Sequence, residues 1–106
     1  MMAWKINYHD KAKAELYELN NSAKARVVKA IMKVSENPLP QSEGGYGKPL
    51  GNKVSSKLAG YMKIKLKSIG IRIVYRLIRE DTVMYILIIS VRDDNKVYKD
   101  AESRIN

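Results

Sequence analysis

The sequence predicts an α+β fold in which a small sheet carries two consecutive helices and a short final helix. Two apolar stripes at helical spacing follow a short alternating segment near the start. Three strand-like segments then follow one another, with turns too short for crossover helices between them. The predicted order is β-α-α-β-β-β-α, with an N-terminal strand, a helical hairpin and a three-stranded antiparallel meander that completes a four-stranded sheet. Residues 1–106 are expected to form one domain with the helices on one side of the sheet.

The first half of the chain holds the first strand and the helical hairpin. Residues 4–8 alternate between apolar and polar types, which predicts a half-buried strand. Asp10 is a suitable cap for a helix that ends near Leu19. Ser22, in a polar turn, is a suitable cap for a second helix over about 23–36. Two helices joined so tightly are expected to lie side by side as a hairpin.

The second half begins with a loop and continues as strands. Residues 38–60 contain all three prolines and five of the six glycines, which is typical of irregular structure. Strands are predicted over 62–67, 71–78 and 83–91. The last of these is almost continuously apolar, as expected of a central strand that is covered on both faces. A final helix is predicted from about Lys96.

The positive charge is concentrated in one part of the chain. The chain carries 20 Lys and Arg against 11 Asp and Glu, a net charge of +9. Between Gly44 and Arg79 there is no acid, and the rest of the chain is balanced. An excess confined to one segment indicates an anionic partner, first of all nucleic acid, with an acidic protein or a membrane surface as alternatives. The cations of this segment are Lys48, Lys53, Lys57, Lys63, Lys65, Lys67, Arg72, Arg76 and Arg79.

Composition excludes several kinds of site. The chain has no cysteine, so it can form neither a disulfide nor a thiolate metal site. Its one histidine, His9, lies outside the basic segment, and that segment has no acid to bind Mg²⁺. We therefore expect no metal and no cofactor, and any catalysis must use Lys, Arg and Tyr. No secretory signal or membrane-spanning segment is recognised, so we expect a soluble, cytoplasmic protein without membrane contacts.

A ladder of cations is predicted on one face of the sheet. Alternation along a strand points Lys63, Lys65 and Lys67 in one direction, roughly 6.6–7 Å apart. The following turn brings Arg72, and further along Arg76, towards the same ladder. Like charges on paired strands cost stability unless an anion lies between them. The pattern also occurs on strands that merely face solvent, so it does not by itself establish a binding site.

Such a ladder suits some steps of RNA cleavage better than others. Cleaving RNA through its 2′-hydroxyl requires a proton acceptor, a proton donor for the 5′-oxygen and stabilisation of the phosphorane charge. Lysine and arginine supply the charge stabilisation well. A lysine acts as a base only when its pKa is strongly lowered, and like-charged neighbours at about 7 Å achieve little of this. We therefore predict weak cleavage of free RNA and dependence on a partner that aligns the 2′-hydroxyl.

Short motifs spread over nearly the whole chain resemble one protein family. They are Trp4-x-Ile6-x-Tyr8, Asn37-Pro38, Lys48-Pro49-Leu50-Gly51, Leu58-Ala59-Gly60-Tyr61, Lys63-Ile64-Lys65-Leu66, Gly70-x-Arg72-x-Val74-Tyr75 and Val97-Tyr98. Together they resemble the RelE/ParE toxin superfamily. The stretch 63–75 is the most specific, and it resembles the mRNA interferases of RelE type more than the gyrase-poisoning ParE branch.

The resemblance implies a RelE-like fold and the toxin of a type II toxin-antitoxin system. Such a toxin would be an endoribonuclease that enters the ribosomal A site and cuts mRNA there without metal. Its partners would be a cognate RelB-like antitoxin, the ribosome and mRNA, and it would meet operator DNA only through the antitoxin complex. A ParE-like gyrase poison and a non-catalytic RNA-binding or ribosome-binding module remain as alternatives.

The resemblance also implies roles for individual residues. Lys63 matches the base or its electrostatic helper, and Lys65 and Arg72 match groups that stabilise the phosphorane charge. Arg92 matches an arginine proposed as acid or leaving-group stabiliser, and Tyr98 matches a tyrosine that stacks on or orients the substrate. Supporting RNA contacts are expected from Lys57, Lys67 and Arg76.

The chain departs from the family pattern around Arg92. The stretch 75–90 is slightly longer than in RelE, and the stretch 90–98 is shorter and lacks the usual Gly-Lys before the arginine. Asp93 and Asp94 follow directly. Their carboxylates are candidates to pair with the arginine and weaken its role.

Overall fold

A mixed five-stranded sheet with three helices forms the described part of the chain. The structure is a computed structural model that describes residues 3–51 and 55–105, so Lys53 of the basic segment lies outside the described residues. The predicted α+β fold is confirmed. The helices and strands, in chain order, are β1 (Lys5–Tyr8), α1 (Asp10–Glu18), α2 (Asn21–Ser35), β2 (Lys48–Pro49), β3 (Met62–Leu66), β4 (Ile71–Ile78), β5 (Val83–Ser90) and α3 (Asp94–Ser103).

The sheet has the order β1-β5-β4-β3-β2. Strand β1 runs parallel to β5, and the other neighbours are antiparallel. Four strands were predicted, and the fifth is β2, which pairs Lys48 with Lys63 and Pro49 with Met62. A two-residue strand is too short to show a period of two, and its proline is tolerated because the strand lies at the edge.

The helices cover both faces of the sheet, so the prediction that they lie on one side is wrong. Side chains of β4 alternate in direction. Ile73 and Tyr75 pack in a core with residues of α1 and α2, whereas Val74 packs with Val97 and Ala101 of α3. Because β4 and β5 carry buried apolar side chains on both faces, each face packs against its own helices.

A bulge in β5 explains its nearly continuous apolar sequence. Val74 pairs with Ile88 and Tyr75 with Ile86, so Leu87 is an extra residue on β5. Leu87 and Ile88 consequently both pack towards α3, while Ile86 packs towards α1 and α2. The bulge thus supplies two neighbouring apolar side chains to the core beneath α3.

The first two helices are capped one or two residues away from the predicted positions. His9 accepts a hydrogen bond from the backbone at the start of α1, and Asn20 does the same for α2. The predicted caps, Asp10 and Ser22, lie inside the helices because the chain offers several cap-forming residues in succession. Helix α3 begins two residues earlier than predicted, and Asp93 is its cap.

An ion pair closes the edge of β5 beyond its last pair with β1. The carboxylate of Glu15, from α1, accepts the backbone N–H of Ile89 at 3.1 Å. The guanidinium of Arg104, which follows α3, donates to the backbone oxygen of Leu87 at 3.0 Å. The two side chains bind each other through bonds of 2.8 and 2.7 Å. Helices on opposite faces are thereby joined around the sheet edge.

Replacing Glu15 by glutamine is expected to destabilise the fold. The Arg104 side chain is only 10% exposed, so it would lose its counter-charge without regaining water. We expect the free energy of unfolding to fall by about 1–3 kcal/mol in urea denaturation at neutral pH. Glu18→Gln, at an exposed position of the same helix, should stay within about 0.5 kcal/mol of the unmodified chain. Equal losses in both variants would contradict the proposed role of the ion pair.

Candidate active site

Three of the predicted cations lie on the sheet face that carries α3. Lys65 is the cross-strand partner of Arg72, and Lys63 is the partner of Val74. Because Val74 packs beneath α3, the lysines and the arginine on its side of the sheet face the same way. The predicted shared face is confirmed for Lys63, Lys65 and Arg72. Their chemical roles stay predictions.

A carboxylate from α3 lies between two of these cations. Lys65 Nζ donates to Asp94 Oδ2 at 2.8 Å, and Arg72 Nε donates to Asp94 Oδ1. The side chains of Lys65, Arg72 and Asp94 are 30%, 29% and 38% exposed, so a ligand can reach all three. We call these three residues the charge cluster.

The cations of the charge cluster hold Asp94 in its ionised form. The hydrogen bond from Lys65 is the main cause that lowers the pKa of the Asp94 carboxyl, and Arg72 adds to it, while partial burial opposes them. Asp94 is therefore a carboxylate at neutral pH. One negative charge offsets part of the repulsion between two positive ones.

Arg92 lies next to the charge cluster but points into another ion pair. Its Nη1 donates to Asp100 Oδ2 at 2.8 Å, and its side chain is 50% exposed. Its backbone oxygen accepts from Arg72 Nη1 at 2.9 Å. The expectation that Asp93 or Asp94 pairs with Arg92 is wrong, because Asp93 caps α3 and Asp94 binds the cations of the sheet.

Tyr98 lies on α3 one turn after Asp94, and its ring packs at the margin of the core beneath the helix. Burial raises the pKa of the Tyr98 hydroxyl, and the charge of Asp94 raises it further, while Arg72 lowers it. The hydroxyl therefore stays protonated at neutral pH. Tyr98 is close enough to Asp94 and Arg72 for their charges to act on its hydroxyl, and its role in stacking on or orienting the substrate stays a prediction.

The three residues predicted as supporting RNA contacts are dispersed. Strand β3 ends at Leu66, so Lys67 lies in the following 3₁₀ turn, and its prediction as part of the strand ladder is wrong. It still lines a shallow cleft of about 270 Å³ with Lys65 and Arg72. Arg76 lies further along β4 over the ring of Tyr85, at 5.7 Å from the ring centre.

Lys57 is the third of these residues, and it is exposed on a 3₁₀ turn that spans Ser56–Leu58. Leu58 of the same turn is buried in the core beneath α3. The turn thus borders the helix that carries Asp94 and Tyr98. Lys57 makes no direct contribution to the charge cluster in this arrangement.

Two acids that pair with cations of the basic segment come from outside it. Asp94 binds Lys65 and Arg72, and Glu43 binds Arg79 through two bonds of 2.9 and 2.8 Å. The place of Asp94 was not predicted. It depends on the pairing of Arg72 with Ser90 on β5, four residues before α3 starts, and on how α3 packs over the sheet.

Within residues 3–51 and 55–105, no group of three or more His, Cys, Asp and Glu side chains is arranged to hold a metal ion. No helix in the same ranges is both long and apolar enough to cross a membrane.

Comparisons with known proteins agree on one family. The family model for the ParE toxin of type II toxin-antitoxin systems matches residues 6–97. The mRNA interferase toxin RelE of Escherichia coli strain K12 is 28% identical over 104 residues, which cover 98% of this chain and 99% of that protein.

Solved structures give the same result. A mutant of E. coli RelE in the free state aligns with a TM-score of 0.74 and 25% identity, covering 99% of this chain and 100% of that one. A RelE mutant in complex with a peptide of the antitoxin RelB aligns with a TM-score of 0.68 and 26% identity, covering 94% and 95%. The fold therefore has direct counterparts among RelE toxins.

The match of the family model extends over most of the chain, and the relatives align over nearly their whole length. The predicted resemblance is confirmed at the level of the superfamily. The chain belongs to the ParE toxin family of type II toxin-antitoxin systems, within the RelE/ParE superfamily, and is related to the RelE mRNA interferase.

Proposed function

We propose that this toxin is an endoribonuclease that cleaves mRNA in the ribosomal A site without a metal ion. The observation that carries the proposal is the pairing of Lys65 with Arg72 at an open cleft of the sheet. An ammonium and a guanidinium side by side suit a phosphodiester, whose charge grows on its non-bridging oxygens during cleavage. The relationship to the RelE mRNA interferase supports this choice of substrate.

The other predicted residues have supporting roles in this mechanism. Lys63 is two residues from Lys65 on the same face and adds positive charge beside the phosphate. Arg92, half exposed beside the cluster, stabilises the departing 5′-oxygen after leaving Asp100. Tyr98 offers a ring on which a base can stack. Lys57, Lys67 and Arg76 bind the RNA backbone on either side.

Dependence on the ribosome follows from what these residues supply. The cluster provides charge stabilisation, but the attacking 2′-oxygen must also lie in line with the leaving 5′-oxygen. A shallow cleft does little to impose that geometry on a flexible strand. The ribosome holds mRNA in a fixed path, and we propose that it provides the alignment.

A second candidate function is the poisoning of DNA gyrase. It is favoured by the family model, whose description names ParE. A gyrase poison has no need for Lys65 and Arg72 at an accessible cleft, so the cluster favours RNA cleavage. Mapping the 5′ ends of cellular mRNA after induction separates the two, since cleavage within codons is expected here and DNA damage is expected of a gyrase poison.

We also propose that a cognate RelB-like antitoxin neutralises the toxin and links it to operator DNA. A RelE structure with an antitoxin peptide supports such a partner. An apolar groove of about 890 Å³ runs between β1 and α2, and Trp4, Ile6, Val28 and Met32 line it. Lysines of α2 stand at its rim, which suits an amphipathic segment with acidic residues.

Removing the two paired cations tests the catalytic proposal. Lys65→Ala together with Arg72→Ala should lower the rate of mRNA cleavage on programmed ribosomes at least about 10³-fold, because each cation stabilises the transition state. Growth arrest should be lost in parallel. Lys11→Ala with Lys13→Ala removes the same charge from exposed positions of α1 and should change little. A double cluster variant that stays fully toxic and folded would refute the assignment.

A single change in the groove tests the antitoxin proposal. Met32 is 58% exposed, so Met32→Glu should leave the fold intact but place a charge where an apolar side chain is expected to dock. We expect at least a tenfold weaker affinity for the antitoxin by calorimetry, with unchanged mRNA cleavage. Ala14→Glu, at an exposed position of α1, is the matched control. Equal affinities for both variants would exclude the groove.

A further inference from the structure

The two cations of the charge cluster are unsuited to accept the proton of the 2′-hydroxyl. Lys65 and Arg72 each donate a hydrogen bond to Asp94. A cation that donates in this way holds its proton and cannot accept another. His9, the one histidine of the chain, is engaged as the cap of α1. Lys63, which the resemblance implies as the base or its electrostatic helper, acts as the helper in the proposed function, so another group must take the proton from the 2′-hydroxyl.

We propose that Asp94 is a catalytic residue, the general base that accepts the proton of the 2′-hydroxyl. This inference rests on the proposed function. The carboxylate lies between the two cations that would hold the scissile phosphate. The attacking hydroxyl belongs to the ribose attached to that phosphate, so binding of the phosphate brings the hydroxyl towards the carboxylate.

The charge cluster has donors left for a phosphate while Asp94 stays in place. Lys65 has three N–H bonds, and Asp94 takes one. Arg72 uses Nε for Asp94 and Nη1 for the backbone oxygen of Arg92. Its Nη2 has no hydrogen-bond partner among the described residues. Phosphate oxygens can therefore bind Lys65 and Arg72 beside the carboxylate, without displacing it.

The proposed step balances without a metal or redox partner. The 2′-oxygen forms a bond to phosphorus while its proton passes to a carboxylate oxygen of Asp94. The bond between phosphorus and the 5′-oxygen breaks, and the leaving oxygen takes a proton from water beside Arg92. The products are a 2′,3′-cyclic phosphate and a 5′-hydroxyl. Asp94 then returns its proton to solvent.

The ionisation of Asp94 suits this role. Its pKa is lowered, chiefly by the hydrogen bond from Lys65, so the acceptor is unprotonated at neutral pH. A phosphodiester bound to the same cations adds negative charge a few ångströms away. That charge raises the pKa of Asp94 again, and the carboxylate becomes more basic when the substrate is bound.

The same position allows an opposite role, in which the carboxylate takes the place of the phosphate and inhibits the toxin. The two roles predict opposite effects of one substitution. If Asp94 is the base, Asp94→Asn lowers the rate. If Asp94 competes with the phosphate, Asp94→Asn raises it.

The test is the single-turnover rate of mRNA cleavage on programmed ribosomes, with toxin concentration varied to saturation. Asp94→Asn keeps the size of the side chain and should lower the saturating rate about 10²- to 10⁴-fold. The toxin concentration at half-saturation should stay the same or fall, because one negative charge is removed. If the substitution only displaced α3, the toxin concentration at half-saturation would rise instead. Asp94→Glu retains the carboxylate and should exceed the asparagine variant at least tenfold.

The neighbouring residue provides the matched control. Asp93→Asn makes the same chemical change at the cap of α3, where asparagine is an equally good cap. Its cleavage rate should stay within about threefold of the unmodified toxin.

The possible results separate the inference from the function on which it rests. An asparagine variant at position 94 that cleaves as fast as the unmodified toxin, or faster, would overturn the role of Asp94 as base. A glutamate variant no better than the asparagine variant would also overturn it. If the unmodified toxin fails to cut mRNA on ribosomes, the proposed function itself is refuted, whatever the variants do.

Discussion

The position of α3 over the sheet is the constraint on which the candidate site depends. At its start, Asp94 binds Lys65 and Arg72 of the central strands. After its end, Arg104 binds Glu15 of α1 and the edge of β5. Between these two anchors, Val97 and Ala101 are buried against the sheet. Polar contacts at both ends fix the rotation of the helix, whereas apolar burial alone would leave it free to slide.

The charge cluster shows how a sheet tolerates adjacent cations. Lys65 and Arg72 face each other across two strands, an arrangement that repulsion disfavours. Asp94 relieves the repulsion, but the cluster keeps an excess of one positive charge and remains open to solvent. Exposed ion pairs of this kind contribute little to folding free energy. The cluster is therefore better explained by ligand binding than by stability.

Features that follow from local rules could be predicted from the sequence. Alternation placed Lys63 and Lys65 on one face, and the short turn to β4 brought Arg72 opposite Lys65. The features that the sequence did not reveal depend on contacts between segments that are distant along the chain. The sheet face on which α3 packs depends on tertiary packing, which the periodicity of the sequence does not encode. The same is true of the cations that bind Asp94. Strand β2 was missed for a different reason, since two residues and a proline carry no pattern.

Membership in a superfamily that includes both ribonucleases and gyrase poisons leaves the chemistry open, because function resides in the site and not in the fold. The relevant evidence is which side chains the sheet presents beneath α3. A cross-strand Lys–Arg pair can serve any anion, including a protein carboxylate. In the proposed mechanism, the carboxylate held between those cations accepts the proton of a nucleophile that the bound anion itself carries, and RNA, through its 2′-hydroxyl, is such an anion. Lysine and arginine alone match phosphate in general, and the proposed role of Asp94 accounts for RNA as the substrate.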